Sequence, residues 1–132
     1  MAYIEKYGLK FHWDFKFLPK KFLGITLFGH VFFTKSKSSL TRYLNTAKGR
    51  EFANHEAIHC AQAASFKADK SGNATTKGWL IFYVKYLLFW LKNLIKHPTT
   101  AYHSIPFEKE AYENQSNLDY VSNVGTNWKA YL

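Results

Sequence analysis

The sequence predicts an α+β domain in which a small antiparallel sheet or hairpin packs on about three helices. Three observations predict it. Residues 1–45 are rich in alternating or clustered β-prone side chains, residues 47–66 carry alanine and apolar residues at helical spacing, and residues 79–97 form an apolar run that ends at Pro98. The chain of 132 residues fits one domain, strand-rich over 1–45 and helical over 46–132.

Phe11, Trp13, Phe15 and Phe17 alternate with His12, Asp14 and Lys16, the period of a half-buried strand. Pro19 and Gly24 then punctuate the chain. Residues 25–28 and 31–34 are β-rich around Gly29, and read either as a tight hairpin or as one strand bent at the glycine. Residues 35–39 read as a polar loop. A helix follows over 47–66, with Phe52, Ile58, Ala61 and Ala64 in helical register. Gly49 weakens its first turn and argues for a later start. Residues 67–77 are a loop by composition. A second helix spans 79–97, stopped by Pro98. Pro106 suits the first turn of a third helix, running to about Val121 or Val124 with Gly125 as its terminator.

Composition narrows the function classes. A hydrophobic share of 47 % supports a packed core and argues against disorder. The aromatic share of 19 % points to stacked rings, an apolar groove or a membrane-facing surface. The formal charge of +9 is almost all lysine, with Arg42 and Arg50 the two arginines. Base readout favours the planar guanidinium, so no specific nucleic-acid partner is expected; lysine suits general attraction to anionic surfaces, including peripheral membrane contact. Cys60 stands alone, which excludes an internal disulfide. Residues 1–10 carry no apolar leader core, so the expected location is cytoplasmic, peripheral to a membrane in the alternative. Lys85 and Lys92 interrupt the helix over 79–97 and argue against a spanning segment. Burial against the preceding helix is its expected placement, with an interfacial one as the alternative.

The segment His55-Glu56-Ala57-Ile58-His59 carries the chemistry. Residues four apart share a helix face, so His55 and His59 aim two imidazoles at one point, as a zinc ion requires. Glu56 projects into the neighbouring sector, where it is placed to act as general base and acid on water. A third ligand must come from elsewhere. The compact three-histidine arrangement fails, because Gln62 and Ser65 occupy the positions it needs. Glu108, Glu110 and Glu113 on the third helix are candidates, as are His97 and His103 before it. Glu108 and Glu110 lie about 200° apart on a helix and cannot both face one metal. Cys60 is turned about 100° from His59 and is expected to be a small buried residue. His103, Tyr102 and Tyr112 are candidates for stabilising an oxyanion, and His30 for bordering the cleft from a strand.

The stretch Asn54-His55-Glu56-Ala57-Ile58-His59, followed by Phe107-Glu108-Lys109-Glu110-Ala111-Tyr112, resembles small, largely uncharacterised bacterial zincin-like proteins. Residues 24–28 are similar to the strand that precedes the zinc helix in that group. The second motif also resembles the Glu-x-x-Ala-Asp helix of gluzincin peptidases. These likenesses imply a minimal zincin-like domain, zinc as cofactor, Glu108 as third ligand with Glu110 as runner-up, and a peptide or protein substrate. Tyr112 stands where the peptidases place Asp, so a carboxylate that orients a zinc histidine is missing or supplied by another residue. The expected function is zinc-dependent peptide hydrolysis with Glu56 as general base. The alternative is a non-catalytic, zinc-stabilised module acting at a membrane surface or on a protein partner.

Overall fold

The computed structural model describes residues 8–19 and 21–132. Most of the segment read for a leader, residues 1–7, lies outside the described residues. Among the described residues three strands form one sheet: β1 (Lys10–His12), β2 (Gly24–Leu27) and β3 (His30–Phe33), in the order β1-β3-β2. β2 runs antiparallel to β3, with Leu27 opposite His30, whereas β1 runs parallel to it, with Phe11 opposite Val31. The sheet is therefore mixed and not antiparallel as expected. β2 occupies the outer edge of β3, and the return strand β3 lies beside β1 in the same direction.

The strand expected through Phe17 stops at His12. Asp14 adopts a φ of 53°, a left-handed conformation that breaks the pleat. Of the two readings of Gly29, the hairpin is observed. Phe28 and Gly29 have φ of 53° and 81°, the positive pair that a two-residue turn needs. Phe28 is held there by α-helical neighbours: its N–H donates to the Tyr83 hydroxyl at 3.1 Å, and its ring meets that of Tyr83 at 5.1 Å.

Five α-helices follow among the described residues: α1 (Lys37–Leu44), α2 (Ala47–Phe66), α3 (Thr76–Lys96), α4 (Pro106–Asn114) and α5 (Tyr120–Asn123), then a 3-10 turn at Trp128–Tyr131. Helix α1 begins inside the expected polar loop. Ser36 caps it by accepting from the Ser39 N–H, and Leu40 and Leu44 bury one face. Helix α2 starts at Ala47 despite Gly49. A β-carbon on Gly49 would stand 1.8 Å from the Tyr43 carbonyl oxygen, so the glycine lets the α1–α2 corner close. Thr46 caps this corner through the Gly49 N–H.

The expected third helix is cut short. Asn54 of α2 donates its side-chain amide to the carbonyls of Gln115 at 2.7 Å and Asn117 at 2.9 Å, which satisfies the end of α4 and turns the chain. Gly125, with φ of 78°, closes the separate short α5. Part of the aromatic surplus builds the core: Phe107 at the start of α4 contacts Phe82, Phe89 and Trp128. Helix α3 is less buried than expected. Trp79, Phe82 and Asn93 are its large buried side chains, and most of its leucines are exposed.

Candidate metal centre

Helix α2 delivers His55 and His59 from one face, and the first turn of α4 delivers Glu108 opposite them. The Nε2 atoms of His55 and His59 each lie 3.0 Å from Glu108 Oε1 and 3.2 Å from each other. All three residues are buried, and they are the one His/Cys/Asp/Glu group among the described residues with a metal-holding arrangement. Donor atoms on a tetrahedral zinc stand about 3.3–3.4 Å apart, so the triangle needs to open by only a few tenths of an ångström.

The protonation pattern makes a stronger test of fit. His59 Nδ1 meets Gln62 Oε1 at 2.8 Å. The Gln62 amide has no freedom to flip, because its Nε2 already donates to the Phe107 carbonyl at 3.0 Å and to Glu110 Oε1 at 2.8 Å. His59 Nδ1 must therefore carry a proton and donate it. His55 Nδ1 meets the side-chain amide of Gln115 at 2.9 Å. Neutral imidazoles so oriented turn two Nε2 lone pairs toward a carboxylate oxygen. Three acceptors in contact require a cation or an extra proton between them.

In the metal-free state that need falls on protons. Burial disfavours a charged His59, but hydrogen bonding to Glu108 and its charge outweigh this and push the His59 pKa up to about 9. Burial would raise the Glu108 carboxyl, yet the hydrogen bonds to His55 and His59 hold it well below the usual range. Tyr86 adds to this by donating its hydroxyl to Glu108 Oε2 at 2.6 Å.

Glu56 faces the same cleft, a hollow of about 320 Å³ lined by His55, His59, Glu108, Tyr86, Tyr102 and β2. Among the described residues its carboxylate forms no hydrogen bond, and burial pushes its pKa up against the pull of His59 and His55. That shift moves a carboxyl toward the range where it exchanges protons at neutral pH.

The remaining candidates separate. Glu110, the runner-up ligand, points away from the triad, as the helical angle requires. Its carboxylate accepts from Gln62, from Tyr120 at 2.7 Å, from Thr126 at 2.6 Å and from the Asn127 N–H. It orients Gln62, which in turn orients His59. His30 is not at the cleft: it pairs with His12, Nδ1 to Nε2 at 2.9 Å, and lines a different hollow with Lys10 and Asp69. His103 is exposed and packs on Tyr102 and Tyr112. Tyr112 sets its ring edge-on to His55 with centroids 4.6 Å apart, while Tyr102 reaches the cleft itself. Cys60 is buried next to Gly29 and is not among the residues that line the cleft.

Sequence reasoning missed Tyr86, Gln115 and the part played by Gln62. Gln62 carried a signal, three residues after His59 on the same helix. Tyr86 and Gln115 carried none, since they arrive from other segments.

No protein-family model, no curated protein and no solved structure matches this chain.

Proposed function

We propose that this protein is a zinc-dependent hydrolase of minimal zincin-like form, acting on peptide bonds. The observation that carries the reading is the convergence of two histidine Nε2 atoms on Glu108 while His59 Nδ1 is committed as a donor to Gln62 and His55 Nδ1 pairs with the Gln115 side-chain amide. That donor set suits zinc by atom type and by second-layer orientation. Zinc held there would supply Lewis-acid polarisation of water and of a substrate carbonyl.

The chain's own groups supply the rest. Glu56 takes a proton from water in the cleft and returns it to the leaving amine, a role favoured by its raised pKa and by a carboxylate that forms no hydrogen bond among the described residues. Tyr102 and Tyr86 border the same space and offer hydroxyl groups. β2 is an edge strand whose residues 24–26 line the cleft, so an extended peptide could pair with its outer backbone. The apolar lining from Phe52, Phe82 and Val31 excludes water and favours apolar side chains.

One observation favours the second reading, a zinc-stabilised module without turnover. Both histidines are oriented by neutral amides, where the resembling peptidases use a carboxylate. The test separates the two. Purified protein should hold about one zinc per chain, and His55→Ala or His59→Ala should hold none. A peptide library should be cleaved by the parent chain and not by Glu56→Gln. Zinc binding without Glu56-dependent cleavage would move the assignment to the non-catalytic module, and absence of zinc would end both.

A further inference from the structure

Helix α3 has the length and mean hydropathy of a membrane-crossing helix, yet only 17 % of its most apolar window is buried in the protein. A core helix of this composition would be mostly covered. Leu80, Val84, Leu87, Leu88, Leu91 and Ile95 instead form an outer stripe, each between 46 and 86 % exposed. At about 100° per residue these six fall within a sector of about 100°.

The flanks of the stripe are not symmetrical. Exposed Lys92 and Lys96 lie together along one side, about 120–160° from Leu80, with half-buried Lys85 in the same row holding its ammonium 5.7 Å from the Phe66 ring; Lys77 enters the stripe's sector at its N-terminal end, and α3 contains no acidic residue at all. Trp90 and Tyr83 lie on the other side, about 60–80° from Leu80. The inner face carries Phe82 and Asn93, which pack against the rest of the protein. An apolar stripe with a lysine row on one flank and amphipathic aromatics on the other is the pattern of a helix lying in a lipid headgroup layer.

We propose that this outer face of α3 seats the protein on an anionic bilayer, parallel to its surface. Charge complementarity selects the occupant: the lysine row, within a chain of formal charge +9, matches anionic headgroups. A second copy packed antiparallel on the stripe would bring two lysine rows toward each other. A spanning placement would carry Lys85 and Lys92 into the hydrocarbon and would strip α3 from α2 and α4. The hairpin tip joins the same surface, since exposed Phe28 packs on Tyr83. Tyr83 also lines the metal cleft, so the cleft opens beside the membrane-facing stripe. The seating itself does not depend on the metal.

The test is co-sedimentation of the full chain with vesicles of phosphatidylcholine, with and without about 30 % phosphatidylglycerol. Binding should appear on the anionic vesicles, exceed that on neutral ones by about tenfold or more, and fall with added salt. Leu87→Glu with Leu91→Glu should cut it by about tenfold or more. Both positions are exposed, so the far-ultraviolet circular dichroism of that variant should stay that of the parent. Lys92→Gln with Lys96→Gln, both at exposed positions, should narrow the gap between the two vesicle types. The proposal is overturned by no binding to anionic vesicles or by binding that survives the double glutamate change. It is equally overturned by resistance of bound protein to alkaline carbonate, which means spanning, or by a solution dimer that the glutamates dissociate.

Discussion

Replacing Gln62 by Leu removes the group that holds the His59 tautomer while nearly preserving volume. Gln62 is completely buried and makes three contacts: with His59 Nδ1, the Phe107 carbonyl and Glu110. The Phe107 carbonyl lies inside α4, where a helical N–H also reaches it, and Glu110 keeps Tyr120, Thr126 and the Asn127 N–H. The group left without a partner is the His59 Nδ1–H. An orphaned buried donor costs about 1–3 kcal/mol. Loss of an orienting partner lowers metal affinity by about 10–100-fold, or about 1.4–2.7 kcal/mol. Competition with a chromophoric chelator measures the affinity, and urea unfolding with and without metal measures the stability. Gln115→Leu is the internal control. It frees His55 Nδ1 in the same way, but Gln115 is only part-buried, so water replaces the amide and the loss should be smaller. Zinc affinity within twofold of the parent in Gln62→Leu, or a larger loss in Gln115→Leu, would refute the reasoning from tautomer and burial.

Other consequences are open to measurement. Gly49→Ala should destabilise the fold by about 1–3 kcal/mol in urea unfolding, because its β-carbon meets the Tyr43 carbonyl; helix propensity alone predicts a gain of about 1 kcal/mol, so the sign decides. In chelator-treated protein His59 has its pKa raised from 6.5 to about 9. A raised folded pKa contributes stability that is complete below pH 6.5 and lost as pH climbs to 9, so metal-free stability should fall across that window. Zinc added at pH 7.5 should release a proton, seen by calorimetry in buffers of differing ionisation heat. Burial pushes the Cys60 thiol well up. At fixed pH its reaction with a disulfide reagent should speed up with urea in step with global unfolding, whereas an accessible thiol would react at a rate that stability does not change.

Several elements were legible locally. The bounds of α2 follow from alanine, register and Phe66, and the stop of α3 follows from Pro98. Helix α1 was legible and missed: Ser36 as cap with Leu40 and Leu44 four apart is a short amphipathic pattern inside a polar stretch. The end of α4 was not legible, because Asn54, more than fifty residues upstream, supplies the cap. The direction of β1 was not legible either, since the alternation of a strand carries no information about its neighbour's polarity.

The candidate centre divides along the same line. The pairing of His55 with His59, and the position of Glu56 beside them, came from the sequence, since the α-helix converts a spacing of four into a shared face. The angle between Glu108 and Glu110 also came from helix geometry. Which of the two meets the histidines was decided by how α4 docks on α2. That docking also set Glu110 behind Gln62, aimed Gln115 at His55 and brought Tyr86 over from α3. Helical periodicity acts over a few residues and is written in them. The partners of a buried lone pair are chosen by packing between segments far apart in the chain, and no local pattern records that choice.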